Sequence, residues 1–296
     1  MPRARAGNVE IEYVRHGHAA APAFLLLMGA TEQLVMWPDT LIEALVGAGF
    51  QVVTFDYRDV GLSTKFDASG PVDIPKLVGD LMAGQPVSVP YTLSDMARDA
   101  VAVLDDCGLA AAHVAGLSLG GMIAQVMAIE HPSRVLSLTS IASTTGDRDL
   151  PPPTPGAVMT MFAVPPGSPD QAWIDARVAA MRAMQGTAYV ATEAEMRAAA
   201  EASVKRNLSP AGGTRHIAAS IVTPPRGELL KSFQRPAQAI HGTDDQVMSP
   251  LCGRRTAESL PKGRLIMIKG MGHGLSRSLM PVWAEHLIAL AGTAVA

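Results

Sequence analysis

Near the start of the chain Val9, Ile11 and Tyr13 alternate with polar residues, the period-two pattern of a half-buried edge strand. Two apolar runs follow, Ala23 to Met28, closed by Gly29, and Phe50 to Asp56. Runs this short and continuous fit central strands of a parallel sheet, buried on both faces. Between them Asp39 to Val46 predicts a helix, stopped near Gly47 and Gly49. The clearest helix lies within Tyr91 to Gly108. Ser94 can cap it, Asp95 and Asp99 favour its positive end, and Met96, Ala100, Val101, Val103 and Leu104 form its apolar side. An apolar run then opens at His113, a helix-compatible segment reaches Glu130, His131-Pro132 halts it, and Val135 to Ile141 predicts the next strand.

The texture changes at Pro151. Four prolines fall between Pro151 and Pro155, followed by Pro165, Pro166 and Pro169. Beyond them Gln171 to Met184 and Thr192 to Leu208 predict helices, the second opened by a capping box of Thr192 and Glu195. Met159, Met161, Met181, Met184 and Met196, with Phe162, Trp173 and Tyr189, supply a core for this segment. Some of them are expected to line a pocket, since methionine fills irregular apolar space. The division this implies is an α/β core of residues 1–145 and 214–296, interrupted by a helical cap, or lid, of residues 146–213. After the cap the alternation resumes with a strand at Ala237 to His241, a helix at Arg254 to Leu260, a strand at Arg264 to Ile268 and a helix at Leu279 to Leu290. Lys65 to Pro90, rich in Gly and Pro, reads as an irregular excursion near the top of the sheet. Strands alternating with helices predict an α/β fold with a mostly parallel central sheet flanked by helices.

Composition narrows the function classes. The 296 residues suit one large domain, or one core with an insertion. A net charge of −3 from 27 acidic and 24 basic residues, with no block of like charge, argues against a nucleic-acid partner. The arginine-bearing N-terminus has no apolar stretch behind it, and the run Ala23 to Met28 is far shorter than the ~20 residues that cross a bilayer. Cys107 and Cys252 are far apart and outside any metal-ligand spacing, so two free thiols in a reducing cytoplasm are expected. The expectation is a cytoplasmic monomer or homodimer with no metal, no cofactor and no membrane partner.

The chemistry concentrates at Gly116-Leu117-Ser118-Leu119-Gly120, a G-x-S-x-G pattern between a predicted strand and a predicted helix. That context defines a nucleophile elbow, a sharp turn that stands the serine hydroxyl at the edge of the sheet. A serine hydroxyl is a poor nucleophile at neutral pH and needs a base, which in turn needs an orienting acid. Both candidates follow the serine, each just past a strand. His273 lies in Gly270-Met-Gly-His-Gly274, whose glycines predict a flexible, exposed turn that presents the imidazole to Ser118. The acid falls in His241-Gly-Thr-Asp-Asp245, where Asp244 and Asp245 are both available on chemistry alone. An acyl-transfer site also needs donors for a developing oxyanion. The N–H of Leu119 at the start of the elbow helix is one candidate, and that of Ala30, in the loop after Ala23 to Met28, is the other. His16, His18, His113, His131, His216 and His286 have weaker claims. His241 is close enough to the acid for a supporting role, although a satisfied strand-end histidine is the simpler reading.

With the elbow, HGTDDQV and GMGHG in that order, the chain resembles the α/β-hydrolase superfamily over essentially its whole length. It is most similar to the bacterial carboxylesterases related to aclacinomycin methylesterase. Asp56-Tyr-Arg-Asp-Val-Gly-Leu-Ser63 is similar to the D-x-R-x-x-G-x-S loop of that group, and His131-Pro-Ser-Arg-Val135 to its H-P-x-R-V segment. The resemblance places the acid at Asp245 through the G-x-x-D pattern. It departs from common relatives at Met28-Gly29, where His-Gly is usual, and at Asp59, where glycine is usual. It implies a serine carboxylesterase that hydrolyses a small to medium carboxylic ester through an acyl-enzyme on Ser118, without cofactor. The same residues also serve lactonases, C–C hydrolases and cofactor-free perhydrolases, and a non-catalytic ligand-binding protein on the same fold is the remaining alternative.

Overall fold

A computed structural model describes residues 2–154, 164–165 and 167–294. Met159, Met161 and Phe162, expected in the cap, lie outside the described residues. Eight strands form one sheet: β1 (Arg3–Ala6), β2 (Val9–His16), β3 (Ala23–Leu27), β4 (Gln51–Phe55), β5 (Ala112–Leu117), β6 (Val135–Ile141), β7 (Ala237–Gly242) and β8 (Gly263–Ile268). Their order is β1-β2-β4-β3-β5-β6-β7-β8. The pairs β1–β2 and β2–β4 are antiparallel and every other pair is parallel. The fold is therefore α/β with a mostly parallel sheet. Strands β3, β4 and β5 are buried along their whole length, which is why β3 runs apolar without alternation and why β4 and β5 are mainly apolar, with Gln51, Thr54 and His113 as buried polar exceptions. The short strand β1 covers β2, so β2 is not the edge that its alternation predicts.

Helices α1 (Asp39–Gly47), α2 (Ile74–Met82), α3 (Leu93–Asp106) and α4 (Leu119–Glu130) belong to the first half of the chain. Helix α3 is capped by Thr92, which accepts from the Asp95 amide while the Asp95 carboxylate accepts from the Thr92 amide. Ser94 instead donates to Glu130 on α4. The excursion at 65–90 contains a full helix, α2, whose N-cap Asp73 accepts from Lys76 N and whose first turn carries Pro75.

The connection between β6 and β7 carries α5 (Asp170–Ala183), α6 (Glu193–Arg206), α7 (Pro210–Val222) and the short α8 (Gly227–Leu230). Trp173, Ile174 and Val178 of α5 pack on Met196, Ala200 and Val204 of α6 in a small core of their own. Helix α7 runs through residue 213, the expected end of the insertion. Gly212 sits inside it because a Cβ there would lie 2.6 Å from the Asp59 carbonyl oxygen. Helices α9 (Pro250–Ser259) and α10 (Met280–Thr293) complete the layers. Cys107 and Cys252 are free and buried, and no helix among the described residues is long and apolar enough to cross a membrane.

Two buried histidines give stability a pH dependence. His113 on β5 packs near Phe24 and Phe50 and is bonded to Ser137 Oγ at 2.9 Å. Burial lowers it to about 4, and burial likewise lowers His216 on α7 to about 4. Each is neutral when folded and takes a proton more readily when unfolded. Their contribution is therefore complete above about pH 6.5 and is lost as pH falls toward 4, at up to about 3 kcal/mol each. The urea midpoint should fall between pH 6.5 and 4, and His113→Phe should flatten part of that slope. An unchanged midpoint across this range would contradict the assignment.

Candidate active site

Ser118 joins β5 to α4 at φ 53° and ψ −116°. A non-glycine residue enters such a backbone conformation at a cost of order 1–3 kcal/mol, so its surroundings must hold it there. They do so through the backbone. Ser118 N donates to Ile141 O at 2.8 Å, and Ser118 O accepts from Ser143 Oγ at 2.7 Å and from Gly121 N at 2.9 Å. The two flanking glycines are steric necessities. A Cβ on Gly116 would sit 2.1 Å from Gly120 O, and a Cβ on Gly120 would sit 2.0 Å from Leu27 O. The apolar strand and the helix that follow from the sequence can meet only with hydrogen at both positions.

Leu119 is the first residue of α4, so its N–H lies at the positive end of the helix dipole. Ala30 lies in a turn from Gly29 to Glu32, closed by Glu32 N donating to Gly29 O at 3.3 Å. Among the described residues neither amide is spent on an internal acceptor. Ala30, Ser118, Leu119 and His273 all line one cavity of about 1110 Å³.

His273 Nδ1 donates to Asp245 Oδ2 at 2.8 Å. The other carboxylate oxygen of Asp245 accepts from Val247 N at 2.9 Å and Met248 N at 2.8 Å. Burial pushes this carboxyl up, but the charge of His273 and the hydrogen bonds from His241, His273 and Met248 outweigh it and hold it well below the usual carboxylate range. Asp244 points elsewhere. It accepts from Thr187 N at 3.2 Å and from the Thr187 hydroxyl, tying the β7–α9 loop to the β6–β7 connection. Ser118 Oγ and the His273 ring face the same cavity but are not hydrogen-bonded to each other. Such bonds are often loose until a substrate is in place.

The turn carrying His273 differs from the flexible, exposed loop its glycines suggest. His273 is buried, and the amides of His273 and Gly274 both donate to Met184 O at 2.9 Å. The glycines allow close approach, since a Cβ on Gly272 would lie 2.4 Å from Gly186 N. His241 is also drawn in. Its Nε2 lies 3.0 Å from Met248 O and 3.3 Å from Asp245 Oδ2, the same carboxylate oxygen that His273 Nδ1 holds, so a second ring braces the acid.

The cavity is largely apolar. Met28, Met122 and Met248 line it from the core, and Met181, Met184 and Met196 from the β6–β7 connection. Trp173 lies instead in the small helical core, and Tyr189 packs against the sheet-side core. Tyr57, which no sequence motif marks as a site residue, and His216, which has only a weak claim on sequence, both touch the loop around Ala30. Tyr57 OH donates to Met28 O at 2.9 Å. A lone histidine beside a Gly-Gly pair carries no periodic or motif signal that marks it. No cluster of described residues could hold a metal ion.

The family model for the alpha/beta hydrolase fold matches residues 22–276. Rhodomycin D methylesterase DauP of Streptomyces sp. (strain C5) is 30% identical over 284 residues, covering 88% of this chain and 87% of the relative. The esterase RhEst1 from Rhodococcus sp. ECU1013 superposes with a TM-score of 0.74 at 22% identity, over 99% of this chain and 98% of its own. The enol-lactonase from Burkholderia xenovorans LB400 gives 0.73 at 19% identity, over 98% and 100%. At these identities the two structures speak for the fold alone. Because the family match spans the elbow, the acid and the histidine turn, and the methylesterase relative is aligned over nearly its full length, the chain belongs to the α/β-hydrolase fold family.

Proposed function

We propose that this α/β-hydrolase is a serine carboxylesterase acting on a small-molecule ester, with Ser118 as nucleophile, His273 as base and Asp245 as the acid that orients it. The observation that carries this reading is that the strained Ser118 and the Asp245-bonded ring of His273 open on one cavity. Ser118 Oγ attacks the ester carbonyl as His273 Nε2 takes its proton. The N–H groups of Ala30 and Leu119 receive the oxyanion. His273 then protonates the departing alcohol, and a water deprotonated by the same ring releases the acid from Ser118. Asp245 keeps the Nδ1–H tautomer in place and offsets the positive charge that forms on the ring.

The substrate side rests on two supports. The methylesterase name of DauP favours a methyl ester, and a cavity of about 1110 Å³ is slightly above the usual size range of small-molecule pockets. A bulky, mostly apolar acid esterified to a small alcohol fits both. Residues 146–213 act in this reading as a cap that supplies Met181, Met184 and Met196 to the cavity wall.

Ser118→Ala should abolish hydrolysis of a short p-nitrophenyl ester and labelling by a fluorophosphonate probe. Full activity in that variant would overturn the mechanism. A panel of methyl ester, lactone, 1,3-diketone and acetate-plus-peroxide substrates should give turnover on the methyl ester first. The two neighbouring carboxylates should separate cleanly. Asp245→Asn should lower kcat roughly ten-thousand-fold, as loss of the orienting acid does in other serine triads. Asp244→Asn should change stability rather than kcat, and the reverse pattern would exchange their roles.

A further inference from the structure

The turn that presents Ala30 is not one its sequence favours. Thr31 occupies its third position at φ 69°, a value suited to a type II turn and normally filled by Gly or Asn. A β-branched residue there is strained by about 1–3 kcal/mol. The Thr31 hydroxyl is buried and has no partner among the described residues. Contacts from outside the turn must therefore keep it in this shape.

Three such contacts exist. Tyr57 OH holds Met28 O, just before the turn. Arg177 of α5 pairs with Glu32, at its end. The amide at its centre, Thr31 N–H, donates to His216 Nδ1 at 3.3 Å. His216 is fully buried, and its Nε2 donates to Arg58 O at 2.8 Å. That second bond fixes the tautomer, leaving Nδ1 as an acceptor. Its lowering to about 4 by burial keeps the ring neutral at ordinary pH.

The ring is rigidly mounted from both sides. Arg58, whose carbonyl it holds, is itself clamped by two bonds of 2.7 Å to Asp99. Arg215, the residue before His216, makes two bonds of 2.7 Å to Asp59, which also accepts from Tyr91 OH at 2.6 Å. The edge of Tyr57 meets the His216 ring at 5.8 Å between centroids. Asp59 itself sits at a positive φ of 70°. Its carboxylate anchors α7 at the residue immediately before the one that carries the acceptor.

We infer that His216 is a positioning residue for the oxyanion donors: through Thr31 N–H it holds the turn that aims the Ala30 N–H at the reacting carbonyl. The Ala30 N–H lies in the preceding peptide plane, joined to the central amide at the Ala30 Cα, so fixing the central amide fixes one end of the peptide that aims the Ala30 donor. Hydrogen bonds weaken steeply with misalignment, and one oxyanion donor is worth about 100- to 1000-fold in kcat. The inference rests on the serine-esterase reading, in which that donor is used.

The two ring nitrogens can be tested separately. In His216→Asn the side-chain oxygen can replace Nδ1 and keep the Thr31 contact. In His216→Gln the amide nitrogen can replace Nε2 and keep only the Arg58 contact. Kinetics on a short p-nitrophenyl ester are measured where circular dichroism shows each variant folded. His216→Gln should lower kcat at least about tenfold with KM changed less than about twofold, whereas His216→Asn should stay within about threefold of the parent. Fluorophosphonate labelling of Ser118 should slow in step with kcat. Equal kcat in the two variants, or kcat that simply follows melting temperature, overturns the role of His216. Absence of labelling in the unsubstituted protein overturns the esterase reading instead. Amide exchange at Thr31 in the unsubstituted protein gives a further measurement should a variant fail to fold. Strong protection agrees with the bond, and exchange as fast as an exposed loop refutes it.

Discussion

Everything at the top of this sheet depends on how closely β5, α4 and β3 approach one another. Gly116 and Gly120 are in contact across the elbow, and Gly120 lies against the Leu27 carbonyl at the end of β3. That proximity forces the chain to reverse within Ser118, at a positive φ that no local preference favours. The cost is met by tertiary hydrogen bonds to β6 and to Ser143. The same proximity brings the end of β3, and hence the Ala30 turn, beside the first amide of α4. The position of Ser118 and those of the Ala30 and Leu119 amides thus share one steric cause.

A second layer of organisation is ionic. Helices of the β6–β7 connection meet the loops at the top of the sheet through three pairs, Arg177 with Glu32, Arg206 with Asp56 and Arg215 with Asp59. All six side chains are buried or nearly so. Pairs of this kind add little net stability over well-packed apolar contacts, because desolvation consumes most of the attraction. Their geometric demand is strict, since a displaced partner leaves a charge stranded. They therefore fix where the helices sit rather than how firmly the protein folds. Glu32 of this frame also lines the apolar cavity, whose methionine side chains are of the adaptable, unbranched kind.

Much of this was legible in the sequence, and the parts that were not share a reason. Mainly apolar runs located β3 and β4 because double-sided burial favours apolar residues on both faces of a strand, although Gln51 and Thr54 are buried within β4. The G-x-S-x-G turn, the Asp244-Asp245 pair and the His273 turn were readable as positions because each lies just after a strand, where chain order constrains them. Two carboxylates side by side remained ambiguous until three dimensions showed Asp244 turned toward Thr187. Helix α7 was hidden because Gly212-Gly213 reads locally as a breaker, while the approach of Asp59 demands a residue without a Cβ. Helix α2 was hidden by a Gly- and Pro-rich setting, although Asp73 and Pro75 are good start signals in retrospect. The glycines of 270–274 were read as freedom and are in fact closeness. Contacts such as Thr31 with His216 join positions 185 apart, and no local pattern reports them.

The two hydrogen bonds from the His273 turn to the Met184 carbonyl have a consequence for how this scaffold can diversify. The tether uses main chain only, while the side chain of the same residue faces the cavity. A substitution at 184 can therefore recarve the wall without slackening the turn that holds the imidazole. Shape selection and proton chemistry are written on different atoms of one residue, so drift in the first need not erode the second.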